Sequence, residues 1–124
     1  ISRNTDLKFA SSRYNVLPNS STAMSTIDLD EIIKALAHPV RRDILNWLKD
    51  PATEFPDQEH STDFGVCCGQ IDQRCGLSQS TVSAHLATLH RAGLIRSQKV
   101  GQWHFYKRNE ETIQAFLDTL GKEL

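Results

Sequence analysis

The stretch that decides the fold is residues 76–95, which read GLSQSTVSAHLATLHRAGLI. Ser78 is a residue type that caps helix N-termini, and Gly93 suits the left-handed position that closes a helix. Apolar residues recur between them at i, i+4 and i+7, namely Val82, Leu86 and Leu89. This spacing predicts an amphipathic helix of about fifteen residues.

The opposite side of this helix is polar and uncharged near its start. Its residues are Gln79, Ser80, Thr81 and Ser83. Short hydroxyl side chains have low helix propensity, so folding alone gives no reason for this cluster. Residues 65–75 are predicted to form a shorter helix around Ile71, after a short strand at Phe64. Two helices joined by a tight turn at residues 76–78 indicate a helix-turn-helix.

In a helix-turn-helix, the N-terminal residues of the second helix meet base edges in the DNA major groove. Amide side chains bind adenine, and hydroxyls bind several bases. A polar helix start is also common on solvated surfaces that bind nothing. The sequence that follows favours DNA binding, because residues 94–107 form two strand-like runs around residues 100–101 and predict a basic β-hairpin.

These elements predict a mainly α (α+β) winged helix-turn-helix with a two-stranded β-hairpin wing. The predicted DNA-binding residues are Gln79, Ser80, Thr81, Ser83, His85, Arg96, Lys99, Gln102 and His104. A protonated His85 or His104 is expected to assist phosphate contact at low pH. The predicted partner is a double-stranded DNA operator.

The formal net charge of −1 is low for a DNA-binding protein, because neutralised phosphates supply much of the affinity. The charge is unevenly distributed, however. Residues 76–108 contain five Lys or Arg and no Asp or Glu, so one face can be basic while the whole chain is not. An odd number of cysteines, three, favours free thiols in a reducing compartment. No apolar run approaches the roughly 18 residues of a membrane span, so we expect a soluble cytoplasmic protein without a membrane partner.

Domain organisation is predicted to be simple. Residues 1–23 are rich in Ser and Asn and lack periodicity, so we interpret them as a tag or a disordered extension. Residues 24–124, beginning at Met24, are predicted to form one winged-helix DNA-binding and dimerisation domain.

The first and last predicted helices each carry an apolar stripe. The two stripes consist of Leu29, Ile32, Ile33, Leu36, Ile113, Phe116, Leu117 and Leu120. We expect them to form a homodimer interface that places two recognition helices in successive major grooves, about 34–36 Å apart. The alternative is that both helices only close the core of a monomer.

Several residues between these helices have competing interpretations. Pro39 is expected to open the second helix, with His38 packing or capping between helices. Arg41 and Arg42 fall outside its apolar stripe, where an ion pair is favoured over phosphate contact. Residues 50–63 form a long acidic connection, expected to be mobile or functional. A solvated acidic loop is favoured there over a metal site formed by His60 with Asp57, Glu59 and Asp63.

Four motifs together closely resemble the arsenic-repressor (ArsR/SmtB) family of bacterial winged-helix regulators. They are AHPVRRDIL at residues 37–45, GLSQSTVSAHL at 76–86, RAGLI at 91–95 and VGQW at 100–103. The resemblance spans roughly residues 27–120. It implies a homodimeric repressor that leaves its operator when an inducer binds or a thiol is modified. It also implies base reading by the polar helix start, with Lys99 and Gln102 of the wing at or beside the minor groove.

The thiols Cys67, Cys68 and Cys75 are the candidate sensor residues. Arsenic-binding members of the family carry Cys-x-Cys before the recognition helix; here Cys67 matches the first cysteine, and Gly69 replaces the second. Zinc-sensing members use Asp and His along the last helix, which has no histidine here. On one straight helix Cys75 would lie roughly 10–12 Å from the other two, too far to share an ion.

Three roles for the thiols remain open. They are buried structural residues, redox or electrophile sensors, or a thiol-bound metal or metalloid site at Cys67 and Cys68. Cys68 is expected to be more exposed, near a helix N-terminus that favours thiolate. No cofactor is predicted with certainty. An enzyme is not expected, because no Cys-x-x-Cys or arranged Cys/His pair is present. The alternative function is a winged-helix protein-interaction module without DNA specificity.

Overall fold

The computed structural model describes residues 27–124; the predicted extension at residues 1–23 lies outside this range. The helices are α1 (Leu29–Leu36), α2 (Pro39–Trp47), α3 (Pro51–Glu54), α4 (Cys68–Cys75), α5 (Gln79–Arg91) and α6 (Glu110–Glu123). The strands are β1 (Val66–Cys67), β2 (Ile95–Val100) and β3 (Trp103–Arg108). A 3₁₀ turn occupies Thr62–Phe64. The predicted winged helix-turn-helix is therefore confirmed.

Side-chain caps fix where four of the helices begin. Asp28, Ser78 and Asn109 each accept a hydrogen bond from a backbone N–H of the first turn that follows. At α2 the cap is His38, whose Nδ1 accepts from the Val40 N–H at 3.2 Å, and a proline occupies the first turn. These contacts satisfy amides that have no partner within the helix. The expected capping role of His38 is confirmed.

The sheet has three antiparallel strands in the order β1-β3-β2, so a third strand pairs with the predicted two-stranded wing. Val66 and Cys67 pair with Tyr106 and Phe105 of β3, so the helix predicted over residues 65–75 begins only at Cys68. The prediction of a strand at Phe64 is wrong as well, since this residue lies in the 3₁₀ turn.

Gly65 explains where β1 begins. Its φ is +105°, and a Cβ added there would lie 2.4 Å from the Tyr106 carbonyl oxygen. The chain can thus approach β3 closely only because residue 65 has no side chain.

The core lies between the helices and one face of the sheet. Ile32, Ile44, Ile71, Val82 and Leu89 are completely buried there, together with Val66 from β1. Strand alternation places Phe105 on the other face of the sheet. There the Phe64 and His60 rings cover it, each with its centroid 5.5 Å away.

Residues 50–63 were expected to form a solvated loop, and the structure shows instead that they are folded. Besides α3, they include Gln58, whose side chain accepts from the Cys67 N–H at 2.9 Å and donates to the Gly65 carbonyl at 3.1 Å. His60 packs against Trp103 with 4.7 Å between ring centroids. The segment is therefore folded onto the wing. Across residues 27–124, no three His, Cys, Asp or Glu side chains are grouped to hold a metal ion.

The apolar stripes of α1 and α6 are used mostly inside the subunit. Ile32 and Phe116 are 0% and 7% exposed and pack in the core, which corrects their assignment to a dimer interface. Leu29, Leu36, Ile113 and Leu120 are partly buried against that core. Ile33 and Leu117 remain 47% and 52% exposed, so the proposed interface centres on these two residues. Within residues 27–124, no helix is both long and apolar enough to span a bilayer.

Candidate nucleic-acid interface

The second helix of the helix-turn-helix is held by its apolar side. Val82, Leu86 and Leu89 are almost completely buried, and Gly76, at φ +67°, ends α4 before the turn. The side chains of Gln79, Ser80, Thr81 and Ser83 are all exposed. The structure therefore brings the four predicted base-reading residues together on the outward side at the start of α5.

A hydrogen-bond network at Ser78 organises part of this surface. The Ser78 hydroxyl oxygen accepts from the Thr81 N–H at 3.2 Å and donates to Thr81 Oγ1 at 2.8 Å. Ser80 Oγ lies 3.3 Å from the same oxygen, and because Ser78 has only one hydroxyl hydrogen, Ser80 must donate in this arrangement. Thr81 keeps its own hydroxyl hydrogen to donate outward.

Gln79 and Ser83 differ from these two residues. Within residues 27–124 neither side chain has a hydrogen-bond partner in the subunit. Their amide and hydroxyl groups are therefore fully available to an external partner. From the sequence, Ser78 was predicted only to cap α5. The signal for its further contacts with Ser80 and Thr81 is that a serine lies directly before the polar residues 79–81.

His85 is placed differently from the other predicted DNA-binding residues. Its Nδ1 lies 3.1 Å from Arg41 Nη1, and its ring packs on His38 with 4.5 Å between centroids. Burial lowers the pKa of His85, and the adjacent His38 and Arg41 lower it further. His85 therefore binds Arg41 of α2 in this structure, and phosphate contact by its protonated ring at low pH stays a prediction.

The predicted DNA-binding residues of the wing lie partly at the tip of the hairpin and partly near its base. Lys99 lies opposite His104 in the β2–β3 register, so both side chains project from one face near the tip. Gln102 is in the two-residue turn, after Gly101 at φ +62°. Arg96 lies on the other face, four residues before the strand ends, which is about 13 Å from the tip.

Known proteins similar to this chain are regulators with a helix-turn-helix. Residues 66–97 match the family model described as bacterial regulatory protein, arsR family. The HTH-type transcriptional regulator YbzH of Bacillus subtilis is 41% identical over 96 residues, which cover 76% of this chain and 96% of YbzH. The chain belongs to the arsR family. It is accordingly a DNA-binding transcriptional regulator, and the interaction-module alternative is not favoured.

Two further relatives agree with this ArsR-family assignment. ArsR2 of Halobacterium salinarum is 33% identical over 100 residues, covering 81% of this chain and 72% of ArsR2. The transcriptional activator HlyU of Vibrio cholerae is 32% identical over 89 residues, covering 72% and 70%. A solved structure of HlyU covers 73% of this chain and 87% of its own, with 30% identity and a TM-score of 0.51.

The basic character of this ArsR-family surface is smaller than the sequence predicted. Arg108 is mostly covered and already bound within the chain: it donates to Glu110 at 2.7 Å and to the Leu45 carbonyl at 3.1 Å, and the first contact lowers the pKa of Glu110. Arg96 lies 3.6 Å from Glu111. Of the five predicted basic residues, Arg91, Lys99 and Lys107 are exposed with no carboxylate within 4.0 Å in the described part of the chain.

The surroundings of Cys68 and Cys75 disfavour the thiolate form. Cys67 is only 8% exposed. Burial raises the pKa of the Cys68 thiol, and Cys67 and Asp72 raise it further. Burial and then Asp72 and Asp43 raise the pKa of Cys75 in the same direction. These shifts correct the expectation that the start of α4 favours thiolate at Cys68.

The donor set also fits a metalloid poorly. A soft ion is held by deprotonated sulfurs, whereas the pKa of Cys68 is raised. No third His, Cys, Asp or Glu completes a group with the Cys67 and Cys68 pair among residues 27–124. The residues present in one subunit therefore do not form a complete site.

Proposed function

We propose that this ArsR-family chain is a cytoplasmic homodimeric repressor that reads an operator through Gln79, Ser80, Thr81 and Ser83. The observation that carries the proposal is their common exposure on α5, opposite an apolar face that is buried in the core. A helix held this firmly on one side presents the other side in a fixed orientation, as base reading requires.

The chemistry of these side chains suits direct reading of bases. An unpartnered Gln79 amide can bind adenine with two hydrogen bonds, and the Ser83 hydroxyl can donate or accept. The first amides of α5 and the positive end of its dipole favour an adjacent phosphate. In the wing, Lys99, Gln102 and His104 project near the tip, where they would contact the backbone or the minor groove beside the site.

Dimerisation is supported by the exposed apolar residues on α1 and α6. Ile33 and Leu117 expose about half of their surface, and pairing with a second copy would remove it from water. A two-fold dimer would present two copies of the α5 surface to successive major grooves.

Repression and release follow from the family resemblance and from the position of the thiols. A dimer seated on an operator can block transcription, as the family resemblance implies, although the relative HlyU is named an activator. Release would follow binding of an inducer or modification of a thiol, with half-buried Cys68 the most accessible residue of the Cys67 and Cys68 pair.

The test is selection of binding sites from a randomised duplex library, followed by titration of the selected duplex and a scrambled one. We expect Gln79→Ala and Ser83→Ala to reduce discrimination about tenfold each, since one good base contact contributes about 1–3 kcal/mol. Asn46→Ala is the matched control, because it removes an exposed side-chain amide of α2. Equal affinity of the unaltered protein for both duplexes at about 150 mM salt would refute the proposal.

A further inference from the structure

One arginine joins three helices around the recognition surface. Arg41 lies in the first turn of α2, and its Nε donates to the Ala35 carbonyl at 2.7 Å. Its Nη2 donates to the Lys34 carbonyl at 3.3 Å. The third contact, from Nη1 to His85 Nδ1 at 3.1 Å, reaches the middle of α5.

The two carbonyls are natural acceptors for a guanidinium. Ala35 and Lys34 are in the last turn of α1, at the negative end of the helix dipole. The Lys34 carbonyl also accepts from the Ala37 N–H at 3.2 Å, so Arg41 is its second donor. The expected ion pair of Arg41 is therefore wrong: the guanidinium binds main-chain oxygens instead. The planar fork of arginine can hold such separate acceptors at fixed angles, which a lysine ammonium cannot.

The contact with His85 requires one protonation state of the ring. Arginine only donates, so His85 Nδ1 must be the acceptor and the ring proton must be on Nε2. His38 is restrained similarly, because its Nδ1 accepts from the Val40 N–H. The charged and titratable groups that face His85 are Arg41 and His38, and neither is an acid.

The contact between Arg41 and His85 is close to the base-reading residues on the same helix. His85 follows Ser83 by two residues and Gln79 by six, so it is about 9 Å along the axis from the first base-reading side chain. A rotation of α5 at this point would carry the whole polar surface with it.

We propose that Arg41 is a positioning residue that sets the orientation of the recognition helix relative to α1 by binding neutral His85. Because α1 is also part of the proposed dimer interface, the contact fixes how the two α5 surfaces meet one duplex. Protonation of His85 places a second donor against Arg41 and releases the recognition helix. This inference rests on the proposed function, since it needs an operator that α5 reads.

Arg42 provides a matched control. It follows Arg41 directly and also binds a carbonyl of α1, that of Leu36 at 2.6 Å. Unlike Arg41, it has no contact with α5 among the described residues. Substitution of either arginine by lysine preserves charge and removes the fork.

The experiment measures affinity for a duplex selected by the unaltered protein and for a scrambled duplex, at pH 8 and pH 5, because the lowered pKa of His85 delays its protonation to acidic pH. We expect Arg41→Lys to lower the selected-to-scrambled ratio about tenfold at pH 8, the effect of losing a charged hydrogen bond. Arg42→Lys should keep the ratio within about twofold. Sedimentation should show the same oligomeric state for both variants.

A second variant tests the role of the imidazole. His85→Asn keeps an acceptor close to the position of Nδ1 but cannot be protonated in this pH range. We expect it to retain the ratio at pH 8 and to lose the decrease that the unaltered protein shows at pH 5. This readout does not depend on whether Arg41→Lys folds.

Two results would overturn the inference: equal ratios for Arg41→Lys and Arg42→Lys, or an unchanged pH response in His85→Asn. The outcome also separates the two proposals. If Gln79→Ala loses discrimination while Arg41→Lys keeps it, only the positioning role fails. If the unaltered protein prefers no sequence, the operator-reading proposal and this inference both fail.

Discussion

Substitution of Ser78 by alanine tests the construction of the recognition surface most directly. The change removes the acceptor of the Thr81 N–H and the two hydroxyl contacts to Thr81 and Ser80. All these groups are exposed, so water replaces much of what is lost. We therefore expect a loss of about 1 kcal/mol, typical of an N-cap serine, and a melting temperature lower by about 4–8 °C.

The same substitution should weaken binding of the selected duplex. Without Ser78, the Ser80 and Thr81 side chains must be ordered by the DNA itself, at about 0.5–1.5 kcal/mol per side chain. For the two side chains together this is at least about 1 kcal/mol, so we expect the Kd to rise at least about fivefold. Thermal unfolding followed by circular dichroism and fluorescence anisotropy with labelled duplex measure the two effects.

Three other variants separate capping from general damage. Ser78→Asn keeps a cap and should restore stability, whereas Ser78→Asp should keep stability but weaken DNA binding, because its charge would face phosphates. Ser61→Ala removes a comparable cap from the 3₁₀ turn and should leave DNA affinity unchanged. The reasoning is wrong if Ser78→Ala unfolds at the same temperature as the unaltered protein, or if Ser61→Ala weakens DNA binding equally.

The remaining predictions concern assembly, pH and thiol chemistry. Leu117→Asp should give a folded monomer by sedimentation equilibrium, because it places a charge on the exposed apolar patch of α6, whereas Leu77→Asp should remain dimeric; a dimeric Leu117→Asp would contradict the proposed interface. The lowered pKa of His85 means that the unfolded chain binds a proton near pH 6.5 while the folded chain does not, so the free energy of unfolding should decrease as pH falls from about 7.5 to 5.5. His85→Asn should flatten this decrease in thermal melts at the two pH values, and an unchanged slope would assign the effect elsewhere. Because the pKa of Cys68 is raised, iodoacetamide should modify it more slowly than free cysteine at pH 7.5 and faster as pH increases; mass spectrometry that finds Cys68 modified as fast as free cysteine would contradict the assignment.

Local sequence signals were sufficient for the helices that begin at a cap. Ser78 precedes a periodic apolar stripe, and its cap forms as expected. Asp28 precedes the stripe of α1 and caps that helix in the same way. The outward polar surface of α5 was also predictable, because Val82, Leu86 and Leu89 fix which side of the helix is buried.

The errors arise where distant parts of the chain determine the structure. The two residues of β1 carry no alternation, and their pairing partners on β3 are about forty residues away. The contact between Arg41 and His85 likewise joins residues 44 positions apart. Its only sequence signal was the position of Arg41 outside the apolar stripe of α2. The apolar stripes of α1 and α6 predicted that these residues are buried. An apolar stripe does not show whether the core of the same chain or a partner chain buries each residue.

The pairing of Arg96 with Glu111 and of Arg108 with Glu110 has a consequence for how the protein searches a genome. With only Arg91, Lys99 and Lys107 exposed and without a carboxylate partner along residues 76–108, and a net charge of −1, few counterions are displaced when the protein meets an arbitrary sequence. Such a protein gains little from remaining on non-cognate DNA and returns quickly to solution. Its residence on the chromosome is then governed by the match between the α5 surface and the bases beneath it.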